Sequence, residues 1–298
     1  MQVLMVTGDR RFGPGHERYE LQKSAVERLE VLYWGRGALW PHVPRGKFDV
    51  VTAQDPFFRG MFGWYVARRL GARFNVQVHA DLSAQSFVKR VLARFILSRA
   101  DSIRVVSERI ARQLKTKNYK LKTPPIVLPV YVELGRFHSL SRRPEAHTVL
   151  WIGRFEPEKD PLLALAVMRK VPDAKLIVLG NGSLEQRLRS EISRFNLDIR
   201  VELPGWQDPL PYLARATAVL CTSRVESWGS SIVEALAAGV PVVAPDVGIA
   251  KEAGAVVAPR DRLAEALTET LRSQARGVLR LTLPSKEEWV KLWRASLE

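Results

Sequence analysis

Residues 200–245 read RVELPGWQDPLPYLARATAVLCTSRVESWGSSIVEALAAGVPVVAP, and this stretch decides the fold class. The strand-like stretches 200–203, 218–222 and 240–244 have strand length, while 209–215 and 230–238 carry helical periodicity. Strands that alternate with helices imply right-handed βαβ units and a parallel sheet. Upstream the rhythm continues through strand-like 149–152, helix 160–170, strand-like 176–179 and helix 183–195, and downstream through helix 261–273. The first half repeats it. Strand-like 3–7, 30–33, 49–53, 74–79 and 102–106 alternate with helices expected at 17–29, 57–70 and 86–99. Between the halves, 134–147 is polar and aperiodic and reads as a linker. The expected organisation is two doubly wound α/β domains, 1–140 and 148–280. A C-terminal amphipathic helix, 281–298, follows them and packs through Trp289 and Trp293. Ligands of such sheets sit beyond the carboxyl ends of the strands, so chemistry is sought in the residues after each strand.

The chain has 298 residues, enough for two sizeable cores. Its 46% hydrophobic and 26% charged composition excludes wholesale disorder. A single cysteine, Cys221, excludes an intrachain disulfide framework and a multi-cysteine zinc site. No apolar run reaches the roughly 18–20 residues of a membrane span, and the N-terminus lacks a signal-peptide pattern. A cytoplasmic protein is expected. Forty-six basic against 31 acidic residues leave a net charge of +15, which implies a polyanionic partner. The charge is one-sided. Residues 1–145 hold 26 basic and 12 acidic side chains, whereas 146–298 hold 20 and 19. The excess peaks in 89–122, so two domains with different partners are expected.

Two strand-end loops in the second half carry candidate chemistry. Gly153-Arg154-Phe155-Glu156-Pro157-Glu158-Lys159-Asp160 follows strand 149–152 and brings two cations beside an incipient helix. Arginine offers phosphate a planar fork and lysine a point charge. Taken alone, the loop reads equally well as surface charge paired to Glu156 and Glu158. After strand 218–222 come Glu226 and, eight residues on, Glu234, separated by Gly229-Ser230-Ser231 at a helix start. Carboxylates accept hydroxyl hydrogen bonds from a sugar or ribose. The N–H groups of Gly229, Ser230 and Ser231 suit a phosphate. On the bland reading, Glu234 serves the helix dipole and Glu226 is solvated.

These residues resemble glycosyltransferase family 4, the retaining enzymes of GT-B fold also called glycosyl transferases group 1. The likeness is densest over 149–257, in GRFEPEKD, LGNGSLEQRL at 179–188 and the E-x7-E pair Glu226–Glu234. It extends to VQVHAD at 76–81, SRADSIRVVSERIARQL at 98–114 and VLPVYVELGRF at 127–137. The resemblance implies two Rossmann-like domains facing across a cleft, with the C-terminal helix returning to the first. It implies that Arg154 and Lys159, with Gly229 and Ser230, hold a donor diphosphate. Glu226 then grips the donor sugar, Glu234 the ribose, and Gly205 and Trp206 border the base. His79 faces the donor sugar from the first domain and, with Glu226, is placed in the catalytic set. Gly13 and Gly15 form an acceptor loop, although an unbroken Gly-Gly is missing there, and Val130-Tyr131 replaces the usual Asn-Gly of the linker motif.

The implied reaction moves a hexose from a nucleotide-diphosphate sugar to a glycan or lipid-linked acceptor, as in envelope or exopolysaccharide synthesis. No cofactor is expected. With no D-x-D in the chain, metal-independent catalysis is expected, the leaving phosphate itself deprotonating the acceptor. A dehydrogenase is a weak rival, because Glu185 occupies the third glycine position of a G-x-G-x-x-G at Gly180. A GT-B epimerase or a non-catalytic sugar-nucleotide binder is a nearer alternative. A nucleic-acid-binding protein is more remote, as no such module is visible. The basic helix FVKRVLARFILSRA instead fits a core-docked helix or one on an anionic membrane. Peripheral association of the first domain with the inner face of the membrane is the expected consequence.

Overall fold

In a computed structural model of the chain, residues 1–35 and 43–298 are described, and they form two compact units. Met1–Tyr131 together with Leu283–Glu298 make the first unit, and Val132–Thr282 make the second.

The first unit runs β1 (Gln2–Thr7), α1 (Glu17–Lys23), β2 (Arg28–Tyr33), β3 (Val50–Ala53), α2 (Phe58–Leu70), β4 (Arg73–Val78), α3 (Phe87–Leu97), β5 (Ser102–Val105), α4 (Glu108–Thr116) and β6 (Ile126–Val127). Its parallel sheet has the order β2-β1-β3-β4-β5-β6, which reverses direction at β1 as doubly wound sheets do. β1 and β3 bury nearly every side chain, matching their continuous apolar runs.

The helix expected over 17–29 stops at Lys23. Residues from Arg28 onward pair instead with β1, Gln2 opposite Arg28, so strand pairing overrides their helical spacing. α2 ends at Gly71 with φ of 64°, a left-handed cap that glycine takes without strain. α4, which the sequence reading did not separate from its surroundings, starts at Ser107, whose side chain accepts from the Ile110 N–H.

The second unit continues with α5 (Gly135–His138), β7 (Thr148–Ile152), α6 (Pro161–Arg169), β8 (Lys175–Leu179), α7 (Glu185–Arg194), β9 (Val201–Gly205), α8 (Leu210–Arg215), β10 (Ala218–Leu220), α9 (Ser230–Ala237), β11 (Val242–Ala244), α10 (Ala250–Ala253), β12 (Val256–Val257) and α11 (Leu263–Ser273). Its sheet order is β12-β11-β10-β7-β8-β9, again all parallel. The polar stretch 134–147 belongs to this unit. Arg143 and Glu145 donate backbone N–H bonds to Ala214 and Arg215 (both 2.8 Å), and Arg142 reaches the Ala216 carbonyl at 2.7 Å. The crossing into the second unit therefore lies earlier, between Tyr131 and Val132.

The last helix, α12 (Lys286–Ala295), closes the first unit. A capping box of Ser285 and Glu288 starts it. Trp289 and Trp293, four apart, bury one face among Val3, Met5, Val50 and Leu128.

Candidate active site

β7 and β10 are neighbours in the second sheet, so the loops that follow them lie side by side. Thr222 joins the two. Its hydroxyl lies 3.0 and 2.8 Å from the carbonyls of Lys159 and Asp160 and accepts from Trp151 Nε1 at 2.8 Å. Asp160 is buried and left-handed (φ 48°) just before α6. Its Oδ2 is held by Arg224 at 2.7 Å and Arg260 at 2.5 Å, and Arg260 also donates to the carbonyls of Thr222 and Ser223. Two guanidiniums on one carboxylate make a charge-assisted clamp that fixes where Lys159 emerges.

The clamp sets Lys159 against Glu226. Their side chains, 20% and 9% exposed, form an ion pair through Lys159 Nζ and Glu226 Oε1. The same Oε1 accepts from Ser223 Oγ at 2.8 Å. A mostly buried pair of this kind is costly to break on one side. Beside it, Gly229 (φ 111°) precedes α9, so the N–H groups of Ser230 and Ser231 fall in the first turn, ahead of any intrahelical bond. Trp228 Nε1 is buried with no hydrogen-bond partner among the described residues.

A cavity of about 340 Å³ opens beyond the carboxyl ends of β7, β8 and β9. Arg154, Trp206 and Glu234 line it, together with Arg136, Gly180 and Asn181. Trp206 is 75% exposed, an unusual position for so large an apolar ring. Gly205 beside it has φ of 83°. Gly180 and Gly182 are required for a different reason. A Cβ on either would strike the backbone of Gly153 or Phe155, so these glycines let two strand-end turns touch. Glu156 seals the same contact by accepting from the N–H and hydroxyl of Ser183 at 3.0 and 2.6 Å.

The structure thus makes two groupings of the expected residues. Lys159 pairs with Glu226 at the head of α9, whereas Arg154, Trp206 and Glu234 line the cavity. Arg154 extends into solvent and pairs with Glu158 at 2.7 Å. In the first unit, His79 follows β4. Gly13 and Gly15 lie on an open turn after β1 with room for a side chain at both, and the Gly15 N–H is already taken by Glu20 at 2.9 Å. Sequence reasoning missed Asp160, Thr222, Arg260 and Arg136. Asp160 stood in the quoted loop without a partner in view. Arg260 is a hundred residues away and carries no local signal.

Burial pushes the pKa of Glu234 above its ordinary 4.5. The Arg136 charge opposes that shift and the Asp208 charge adds to it. A carboxyl with a raised folded pKa contributes stability below 4.5 and loses it as pH rises through the folded value. Glu234→Gln is therefore expected to raise Tm at pH 7 by a few degrees, with the gap closing below pH 4.5. Thermal denaturation at the two pH values checks this, and a lower Tm at pH 7 contradicts it.

Residues 137–280 match the family described as Glycosyl transferases group 1, and residues 2–129 match the Glycosyl transferase 4-like domain. Among curated relatives, an alpha-monoglucosyldiacylglycerol synthase of Streptococcus pneumoniae is 27% identical over 231 residues, 66% of this chain and 52% of that protein. A D-inositol 3-phosphate glycosyltransferase of Mycolicibacterium gilvum is 26% identical over 257 residues, 77% of this chain and 57% of its own. The chain spans about half the length of the curated relatives it matches. In fold it is similar to the Anabaena protein HepE in complex with UDP and glucose. The TM-score is 0.74 at 15% identity, over 100% of this chain and 95% of that one. The chain belongs to the group 1 glycosyltransferases and has their two-domain, Rossmann-like GT-B fold.

Proposed function

We propose that the protein transfers a hexose, with retention and without a metal ion, from a nucleotide-diphosphate sugar to a lipid-linked or other glycan acceptor in envelope or exopolysaccharide synthesis. The observation that carries this reading is the Lys159–Glu226 pair, fixed by the Asp160 clamp at the head of α9. In the reaction the bond from the anomeric carbon to the diphosphate oxygen breaks while the acceptor oxygen bonds to that carbon. The acceptor proton passes to the leaving diphosphate. Negative charge builds on phosphate oxygens, where Lys159, Arg154 and the N–H groups of Gly229 and Ser230 stabilise it. Glu226 takes hydroxyls of the donor sugar, Glu234 takes the ribose hydroxyls in the cavity, and the base lies against the exposed ring of Trp206 beside Gly205.

The first unit supports an amphiphilic, anionic acceptor. α3 buries Ala93, Ile96 and Leu97 but leaves Phe87, Val88, Val91 and Phe95 exposed, at 72, 65, 50 and 38%. Lys89, Arg90 and Arg94 flank this stripe. An apolar stripe bordered by cations suits the surface of an anionic bilayer. Among the described residues no helix is long and apolar enough to cross a membrane. Of the relatives, one is named for a glucosyldiacylglycerol, a lipid, and another for inositol 3-phosphate, an anion. We expect wild type to sediment with anionic vesicles, and Phe87→Glu/Val91→Glu to lose most of that binding. Equal sedimentation with neutral vesicles would remove the membrane reading, and tight salt-resistant DNA binding would replace it.

The enzyme assignment is tested by incubating the chain with UDP-, GDP- and ADP-sugars and a membrane extract as acceptor, in EDTA. One donor class should release its nucleoside diphosphate, with Glu226→Ala and Lys159→Ala strongly slowed. An epimerase converts the donor without acceptor, and a non-catalytic binder releases nothing.

A further inference from the structure

β4 carries a polar stripe that the donor site does not explain. Asn75, Gln77 and His79 alternate along the chain and so share one face of the strand and its end. Asn75 and Gln77 are buried between β3 and β5. Buried polar groups in such a place need partners, and these form one connected set. Arg104 on β5, 2% exposed, donates from Nη1 to Gln77 Oε1 at 2.9 Å. Its Nε and Nη2 donate to the Leu128 carbonyl at 3.2 and 3.1 Å, and Nη2 to Pro129 at 3.0 Å. Gln77 Nε2 donates to Thr52 Oγ1 at 3.0 Å, and that hydroxyl donates to Asn75 Oδ1 at 2.7 Å. Asn75 Nδ2 then reaches Ser102 Oγ at 2.9 Å and the Ser296 carbonyl, just past α12, at 2.8 Å. Trp289 of α12 covers the guanidinium at 5.2 Å and donates to Pro129 at 2.8 Å.

Arg104 fixes the direction of this set at Gln77. A guanidinium has five donors and no acceptor, so the Gln77 atom facing it is the carbonyl oxygen. That oxygen also lies 3.2 Å from His79 Nε2. Nε2 must then carry the proton, which leaves Nδ1 as the acceptor of the ring. We infer that Arg104, acting through Gln77, is a positioning residue that holds His79 as its neutral Nε2–H tautomer. Burial, then the charges of Arg104 and of Arg18 on α1, also hold the imidazole unprotonated, its pKa lowered to about 3.

The consequence rests on the reading above that His79 meets substrate. An Nδ1 lone pair accepts from a hydroxyl and repels a phosphate or carboxylate, so the ring is matched to a hydroxyl donor.

The test is made on the full chain, without ligand, labelled with 15N-histidine. Long-range 1H–15N spectra are recorded at pH 7, and His79 is assigned by its loss in His79→Asn. Wild type should show protonated Nε2 and unprotonated Nδ1. Gln77→Leu should show a mixture of tautomers and lose about tenfold in kcat/KM, the size of one neutral hydrogen bond. Gln77→Glu still accepts from both partners and should keep the Nε2–H pattern. An Nδ1–H tautomer or an imidazolium in wild type overturns the inference, as does an unchanged spectrum in Gln77→Leu. If Gln77→Leu does not fold, wild type and Gln77→Glu decide. The spectra contain no substrate, so a chain that transfers no sugar fails the donor test without deciding this one.

Discussion

Lys159→Ala is expected to lower kcat by about 10²–10³-fold, the loss found when one fixed donor to developing charge is removed. Lys159 is only 20% exposed, and its backbone carbonyl is held by Thr222 beside the doubly clamped Asp160, so its ammonium is placed before any ligand arrives. Preorganised charge acts on the transition state without reorganisation at the moment of reaction. Arg154 is 70% exposed and already paired with Glu158, so Arg154→Ala should cost far less. Lys159→Ala also strips Glu226 of its partner, and Glu226→Ala does the converse. The double variant should therefore lose much less than the product of the two single losses, as residues acting as a unit do. Steady-state kinetics of the three variants check this. A loss under threefold in Lys159→Ala, or strict multiplication in the double variant, contradicts it.

Trp293→Ala should destabilise the first unit by about 3–5 kcal/mol. Trp293 is fully buried against residues of β1, β3 and the chain near Leu128, and it stacks at 6.5 Å on Trp289. Removing the indole loses its transfer energy and leaves a cavity that the surrounding strands cannot close. Trp293→Phe should cost much less, because Trp293 Nε1 has no hydrogen-bond partner among the described residues. Trp289→Phe, by contrast, also gives up the bond to the Pro129 carbonyl and leaves that acceptor short. Urea denaturation followed by hydrogen exchange in β1 and β3 measures the difference. A first unit as stable in Trp293→Ala as in wild type would mean that α12 is dispensable to its fold.

Much of this was legible in the sequence where the signal is local. The alternation across 200–245 carried the sheet, and Gly153 to Asp160 with the Glu226–Glu234 spacing marked the two loops. The Trp289 and Trp293 spacing marked the buried face of α12. Other features depend on contacts that no window of sequence contains. Residues 28–29 fit a helix until β1 offers them a ladder. Arg142, Arg143 and Glu145 look like linker residues until their partners near α8 are seen. Lys159 and Glu226 were assigned to different parts of one ligand, and the fold first gives them to each other. Arg260 reaches Asp160 from beyond β12, a pairing that charge counts cannot anticipate. The spacing of Asn75, Gln77 and His79 is a period of two along β4 and its end. Its meaning required Arg104 on the neighbouring strand.

The function proposed above places the nucleoside diphosphate of a sugar donor at the Lys159–Glu226 pair and in the cavity that Arg154, Trp206 and Glu234 line. Calorimetric titration of the ligand-free chain with UDP, GDP and ADP in EDTA decides this. One of the three is expected to bind, with Lys159→Ala weakening it at least about tenfold, the loss of one charge-assisted bond. Binding by none of them, or equal affinity in Lys159→Ala, would contradict it.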